Sequence, residues 1–162
     1  MASIKDNEGN QYLSFYIKDE MFAINVSCVK EIIQYTQITR VPMMQSFVAG
    51  ITNIRGSVIP VIDLSDRLGL GRSPIDKKTC VITVGVMDGS DEMEIGIVID
   101  VVEQVYEVTS AHIMDSPEFG TRVRKDFIQM MARIDDKFMT MLAVDSILSI
   151  HELSRVIPKK VI

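Results

Sequence analysis

The chain has 162 residues, 47% hydrophobic and 24% charged, with a formal net charge of −5. That length suits one domain burying about 70% of its unfolded surface, and the acidic balance without a Lys/Arg block argues against nucleic acid or an anionic membrane surface as the main partner. The first residues, MASIKDNEGNQ, hold no apolar signal core and no apolar run approaches the roughly 18 residues of a membrane span, so a cytoplasmic protein without membrane insertion is expected.

In chain order, Tyr12 to Ile17 (YLSFYI) alternates Leu13, Phe15 and Ile17 with Tyr12, Ser14 and Tyr16. Met21 to Val26 (MFAINV) follows the charged turn Lys18-Asp19-Glu20, which is a hairpin signature. From Ser27 to Tyr35 (SCVKEIIQY), Val29, Ile32 and Ile33 recur at spacings of three and four, which fits a short helix capped by Ser27. ITRVP stops at Pro42, whose missing N–H ends a helix or a central strand.

The stretch VAGITNIRGSVIPVIDLSDRLGL, Val48 to Leu70, reads as a strand ending near Ile54, a tight turn at Arg55-Gly56-Ser57 and a returning strand from Val58 to Ile62. Asp63 is placed to cap a short helix, Leu64 to Leu68, closed by Gly69. Further strands are expected at Thr79 to Val86, at Glu94 to Val108 (two strands), at Met130 to Ile134 and at Phe138 to Val144. Polar turns at Asp88-Gly89-Ser90-Asp91 and Asp135-Asp136-Lys137 separate them. Short strands, frequent turns and few helices indicate an all-β barrel or sandwich. VIPVIDLSDRL and MTMLAVDSILSI resemble one another, with Asp63 and Asp145 in matching places, which suggests two similar β subdomains with a groove between them.

Catalytic constellations are missing from the pattern. His112 and His151 stand apart from any ligand spacing, so no metal is expected, and no G-x-S-x-G elbow occurs. Cys28 and Cys80 lie among apolar residues without a CxxC pair and read as reduced, buried thiols. The acidic DGSDEME lacks EF-hand spacing and reads as a solvated hairpin tip, GLGRSP lacks the Lys-Ser/Thr of a phosphate loop, and GITNIRG lacks the third glycine of a dinucleotide turn. No cofactor and no catalytic residue is therefore expected.

What remains is a surface. Arg55 sits at a turn tip where its guanidinium could fork onto a carboxylate, and Glu31 is the nearest internal partner; pinning two loops together and touching a partner directly are compatible roles. Val29 and Ile33 are core or exposed patch, and Gly50 and Gly56 serve strand-end geometry or close approach. Among eleven methionines, Met43-Met44 and Met130-Met131 are core plugs or part of a binding face.

VKEII, ITRVP, V-x-G-I-T-N-I-R-G-x-V-I-P-V-I-D-L and LGL, in this order and spacing, closely resemble the CheW family of chemotaxis coupling proteins. EIGIVIDVVEQV followed by SPEF continues the likeness, which covers about Gln11 to Leu153. The resemblance implies an all-β fold with short helices, two SH3-like five-stranded β-barrel subdomains sharing a hydrophobic seam. It implies an intertwined CheW-like domain over 11–153, with a flexible N-terminus at 1–10 and a C-terminal tail at 154–162.

It also implies a non-enzymatic adaptor whose partners are the regulatory domain of the histidine kinase CheA and the cytoplasmic helical tip of methyl-accepting chemoreceptors, at membrane-associated arrays. Carried over by position, the receptor-facing set is Val29, Glu31, Gly50, Arg55, Gly56, Cys80, Val81, Gly96, Val102 and Val105; the kinase-contact residues stay unassigned. Cys80 stands where relatives often have an aliphatic residue, and Val101 where a glycine is common, departures that bear on strand geometry. A CheW-like scaffold in a pathway other than chemotaxis, a small β-barrel enzyme or ligand-binding module, and a structural homo-oligomer remain open at this point.

Overall fold

The computed structural model describes residues 10–42, 44–114 and 123–149; Met43, the SPEF segment, His151 and the tail 154–162 lie outside the described residues. Among the described residues eleven strands form two sheets. They are β1 (Gln11–Ile17), β2 (Glu20–Asn25), β3 (Val29–Gln34), β4 (Val48–Ile54), β5 (Ser57–Asp63), β6 (Cys80–Asp88), β7 (Asp91–Ile99), β8 (Val101–Glu107), β9 (Ile113–Met114), β10 (Ile128–Ile134) and β11 (Lys137–Leu142). Two four-residue helices, α1 (Leu64–Arg67) and α2 (Val144–Ile147), follow β5 and β11.

The hairpins arise from local chemistry. Lys18-Asp19, Arg55-Gly56 and Asp135-Asp136 each place two successive residues at positive φ, closing β1–β2, β4–β5 and β10–β11 through two-residue turns of the I′ kind. That turn twists with the strands it joins, and Asp and Gly tolerate its left-handed backbone. Gly89, at φ 67°, opens the corresponding turn between β6 and β7. Asp63 caps α1 as its position predicts, its carboxylate accepting from the Asp66 N–H at 3.3 Å.

The short helix expected over Ser27 to Tyr35 is absent. Val26–Cys28 makes one 3-10 turn, and its cap is Asn25, whose side chain accepts from the Ser27 N–H, in place of Ser27. From Val29 onward the chain is strand β3, with Val29, Glu31 and Ile33 half-buried and Lys30, Ile32 and Gln34 exposed. Three β-branched residues in five resist helix packing, and the free edge of β6 supplies pairing partners from Val84 to Cys80. Burial along β3 keeps a strict period of two, with a bulge in the pairing between Val29 and Glu31, so the three-and-four spacing of Val29, Ile32 and Ile33 does not mark a buried face. β9 carries no signal in the sequence, since two residues cannot establish a period.

One sheet runs β8-β1-β2-β11-β10-β9 and the other β3-β6-β7-β5-β4. Leaving β9 aside, the two orders repeat the same pairings in succession: antiparallel, antiparallel, parallel, antiparallel. The parallel contact of β5 with β7 joins two successive hairpins, whereas that of β2 with β11 joins the first hairpin to the last. The first hairpin of the chain therefore completes the subdomain built from its last strands.

Apolar residues on both faces of each sheet produce three cores. The largest joins the sheets, bringing Phe15, Phe22, Ile24 and Leu142 of one against Ile62, Ile82, Ile97 and Ile99 of the other. Tyr12, Ala23, Ala132 and Met139 fill the second subdomain, while Val61, Val81 and Val98 fill the first. This is the pair of SH3-like barrels with a shared seam that the resemblance implies, in keeping with the all-β architecture that the strand count predicts.

The repeat is real, but its register differs from the sequence reading. The Asp63 N–H donates to the Phe47 carbonyl at 2.7 Å, and the Ala143 N–H donates to the Phe127 carbonyl at 2.8 Å. Ala143, not Asp145, is thus the structural counterpart of Asp63, and α2 starts without a side-chain cap. The likeness of the apolar strands puts the two acids in register, whereas the backbone bonds set the register two residues earlier.

Arg67 lies where the halves meet. Its guanidinium packs 5.0 Å from the Phe47 ring centre and 4.9 Å from that of Phe127, while Nε donates to the Ile147 carbonyl at 2.8 Å. One planar cation therefore ties equivalent aromatic residues of both subdomains to the end of α2. Arg67→Ala is expected to cost about 2–3 kcal/mol, from two cation–π contacts and an abandoned carbonyl. Urea unfolding checks this, and an unchanged midpoint would show that the clasp is incidental.

Candidate functional site

The Arg55-Gly56 turn projects from the first subdomain. The Asn53 side chain accepts from the Gly56 N–H at 2.9 Å, and this fastens the turn from within. Arg55 has φ 53°, a left-handed conformation unusual for a long side chain, and its side chain is 81% exposed. Its Nη2 lies 2.7 Å from Oε2 of Glu31 on β3, whose side chain is only 19% exposed.

β3 and β4 are the two outer strands of their sheet, and β4 leads into this turn, so the ion pair bridges from one edge strand to the hairpin of the other. The same Glu31 oxygen is out of solvent and has no aligned hydrogen-bond donor. Charge proximity holds the pair, and the guanidinium keeps unused donors facing outward. Beside it, Lys30 pairs with Glu92 across Gly85, whose missing side chain leaves room for both chains. The Glu92 carboxylate holds the Lys30 ammonium above its ordinary pKa.

The other residues of the expected surface divide by burial. Gly56 is exposed and a side chain there would meet nothing within 4 Å. Val105, on the edge strand β8, is 51% exposed. Val29 and Val102 are half-buried against the seam core, and Cys80 at the start of β6 is half-buried too.

Val81, Gly96 and Gly50 are buried. A Cβ on Gly96 would lie 2.9 Å from Val81 Cγ1, and one on Gly50 would lie 2.1 Å from the Thr39 carbonyl oxygen. Gly50 thus admits the chain's own backbone at the Thr39–Ile51 bridge. This alters the expectation that Gly50 and Gly56 serve alike: Gly50 shapes the sheet and Gly56 the exposed turn. Asn53, outside the expected receptor-facing set, contributes by fastening the turn, and an Asn two positions before an Arg-Gly turn is a recognisable turn signal.

The cysteines, His112 and Glu103 serve the structure. Burial pushes the Cys28 thiol up, aided by Asp145, and burial pushes the Cys80 thiol up, the reverse of what a nucleophile needs. Both thiols are unpaired and half-buried, less enclosed than their apolar neighbours in sequence suggest. The His112 ring nitrogen Nδ1 accepts from the Thr109 N–H at 3.0 Å and closes a turn.

On β8, Glu103 accepts from Ser14, Tyr106 and Lys137, each at 3.0 Å. Burial pushes its carboxyl up, but these donors outweigh it and hold the pKa below the ordinary value. Among the described residues no group of three or more His, Cys, Asp or Glu could hold a metal ion, and no helix is long and apolar enough to cross a membrane.

A model of the CheW-like domain matches residues 11–152. A chemotaxis protein CheW from Klebsiella aerogenes is 28% identical over 91% of this chain and 87% of its own length. A chemotaxis protein CheW from Helicobacter pylori is 30% identical over 89% of this chain and 85% of its own. The crystal structure of the scaffolding protein TtCheW from Thermoanaerobacter tengcongensis superposes with a TM-score of 0.74 at 27% identity, over 83% of this chain and 89% of that one.

Proposed function

The chain belongs to the CheW-like family, and from that premise we propose that it is a non-enzymatic adaptor that couples the cytoplasmic tips of chemoreceptors to the histidine kinase CheA. The observation that carries this reading is the Arg55-Gly56 turn: an exposed arginine held in a costly backbone conformation and aimed by a partly buried glutamate. Strain of this kind persists where the surroundings hold it in place, and at such turns it commonly serves recognition.

In this reading Arg55, Gly56 and Val105 meet the receptor tip, with Val29, Glu31, Cys80 and Val102 at the rim of the contact. Gly50, Val81 and Gly96 act from below by fixing the sheet that presents it. A helical receptor tip would lay its side chains against the β-branched rim, with the guanidinium setting its orientation. The likeness to proteins named for chemotaxis and to one named a scaffold supports the adaptor role over an enzymatic one. Recruitment to receptor arrays at the membrane would follow from these contacts without any spanning segment.

Calorimetry with a CheA regulatory domain and with a receptor cytoplasmic fragment tests the proposal. Saturable binding to both, with the three components co-sedimenting, is the expected result. Binding to neither component, with all of them folded, would overturn the coupling role and leave a β-barrel binding module.

A further inference from the structure

A cleft on the first subdomain has a chemistry unlike the rest of this acidic protein. It encloses about 270 Å³ between the β3–β4 connection and the segment after α1, and a second hollow of about 290 Å³ shares Arg40, Ser46, Val48 and Arg72 with it. Tyr35, Ile38 and Ile75 contribute apolar surface to the first hollow. Arg40 and Arg72 are exposed, and neither guanidinium takes part in an ion pair among the described residues. Two such cations lining one cleft, one from each side, repel one another unless an anion lies between them.

The floor carries a second sign. Ser73 lines the cleft at 8% exposure, and its Oγ has no hydrogen-bond partner among the described residues. A buried hydroxyl without a partner is costly, and a ligand oxygen would relieve it. The remaining charged group, Asp63, has both carboxylate oxygens turned to backbone, Oδ1 to the Asp66 N–H and Oδ2 to the Ser73 N–H at 3.1 Å. Two guanidiniums against one satisfied carboxylate leave the cleft net positive.

We propose that this cleft is a separate binding site for a small oxyanion, a phosphate or carboxylate, carried on a compact apolar body. The arginines and the Ser73 hydroxyl would take the oxyanion, and the Tyr35, Ile38 and Ile75 wall the apolar part, the division usual in small-ligand sites. The site does not depend on the adaptor reading, since neither Arg55 nor Glu31 lines it.

The test is an NMR titration of the full chain with phenyl phosphate, benzoate and inorganic phosphate, against sodium chloride at equal ionic strength. Saturable shifts of the Ser46, Ser73 and Ile75 amides with phenyl phosphate or benzoate are expected, and inorganic phosphate should bind at least severalfold more weakly. The R40Q/R72Q double variant should bind about tenfold or more weakly, having lost two charge-assisted contacts. Ser73→Ala keeps the backbone donor to Asp63, so it should weaken binding severalfold without lowering the melting temperature. The idea is overturned by the same shifts with chloride, by equal binding to the double variant, or by no saturation below about 10 mM. Equal affinity for inorganic phosphate would remove the apolar part of the ligand.

Discussion

Replacing Arg55 by glycine is expected to leave the melting temperature unchanged or slightly raised while binding of a receptor-tip fragment falls about thirtyfold or more, the loss of an interfacial hot spot of ~2 kcal/mol. On the stability side two small effects oppose each other. The 2.7 Å contact to Glu31 joins an 81% exposed side chain to its partner, and pairs of this exposure contribute about 0–1 kcal/mol. Against this, Arg55 holds φ 53°, and glycine at a left-handed position recovers about 1 kcal/mol.

On the binding side nothing offsets the loss of the guanidinium. Arg55→Lys retains the charge without the planar fork and should recover only part of the affinity. A glycine variant that unfolds would mean that the Glu31 bridge is chiefly structural. One that binds normally would place the receptor contact elsewhere on the protein.

Gly50→Ala should show the opposite pattern. Its Cβ would sit 2.1 Å from the Thr39 carbonyl oxygen and 2.7 Å from the Thr39 carbonyl carbon, at φ +147°. The two nearest atoms are the Thr39 backbone carbonyl, which cannot swing aside as a side chain could, and the clash would break the Thr39–Ile51 bridge that draws the β3–β4 connection onto the sheet.

A loss of about 3–5 kcal/mol is expected, placing this among the large single-residue effects, with a fall in melting temperature of about 10 °C or more. Gly56→Ala provides the contrast, because open space at φ +84° leaves only backbone strain, about 1 kcal/mol. Thermal denaturation of the two variants side by side separates them. Equal, small shifts would show that the sheet relaxes around Gly50 and that its glycine is not required by the fold.

Together these two glycines explain why the segment around the turn is so constrained. Gly50 lets the β3–β4 connection close onto β4, and Gly56 lets β5 return beside β4 after only two residues. The turn is thereby held over β3, where Glu31 reaches Arg55. A substitution at Gly50 and one at Arg55 would both diminish partner binding, for different reasons, and only the second would leave the protein folded.

By itself the sequence determined what depends on near neighbours: the alternating strands, the positions of the turns at Lys18-Asp19-Glu20 and Asp135-Asp136-Lys137, each of which the structure tightens to its first two residues, the Asp63 cap, and the spaced motif around Asn53-Ile54-Arg55-Gly56 that carries the family likeness. These follow from backbone preferences and side-chain periods that act within a few residues. Tertiary structure decided the rest. Val29 to Gln34 is a strand because β6 pairs with it, against its own helical spacing, and Ala143 takes the place of Asp63 in the repeat because of a backbone bond to Phe127. The parallel pairing of β2 with β11, the clasp of Arg67, the closure at Gly50 and the meeting of Arg40, Arg72 and Ser73 around one cleft join residues from separate segments of the chain. Such contacts arise from the register in which whole hairpins pack, and no local period or propensity encodes that register.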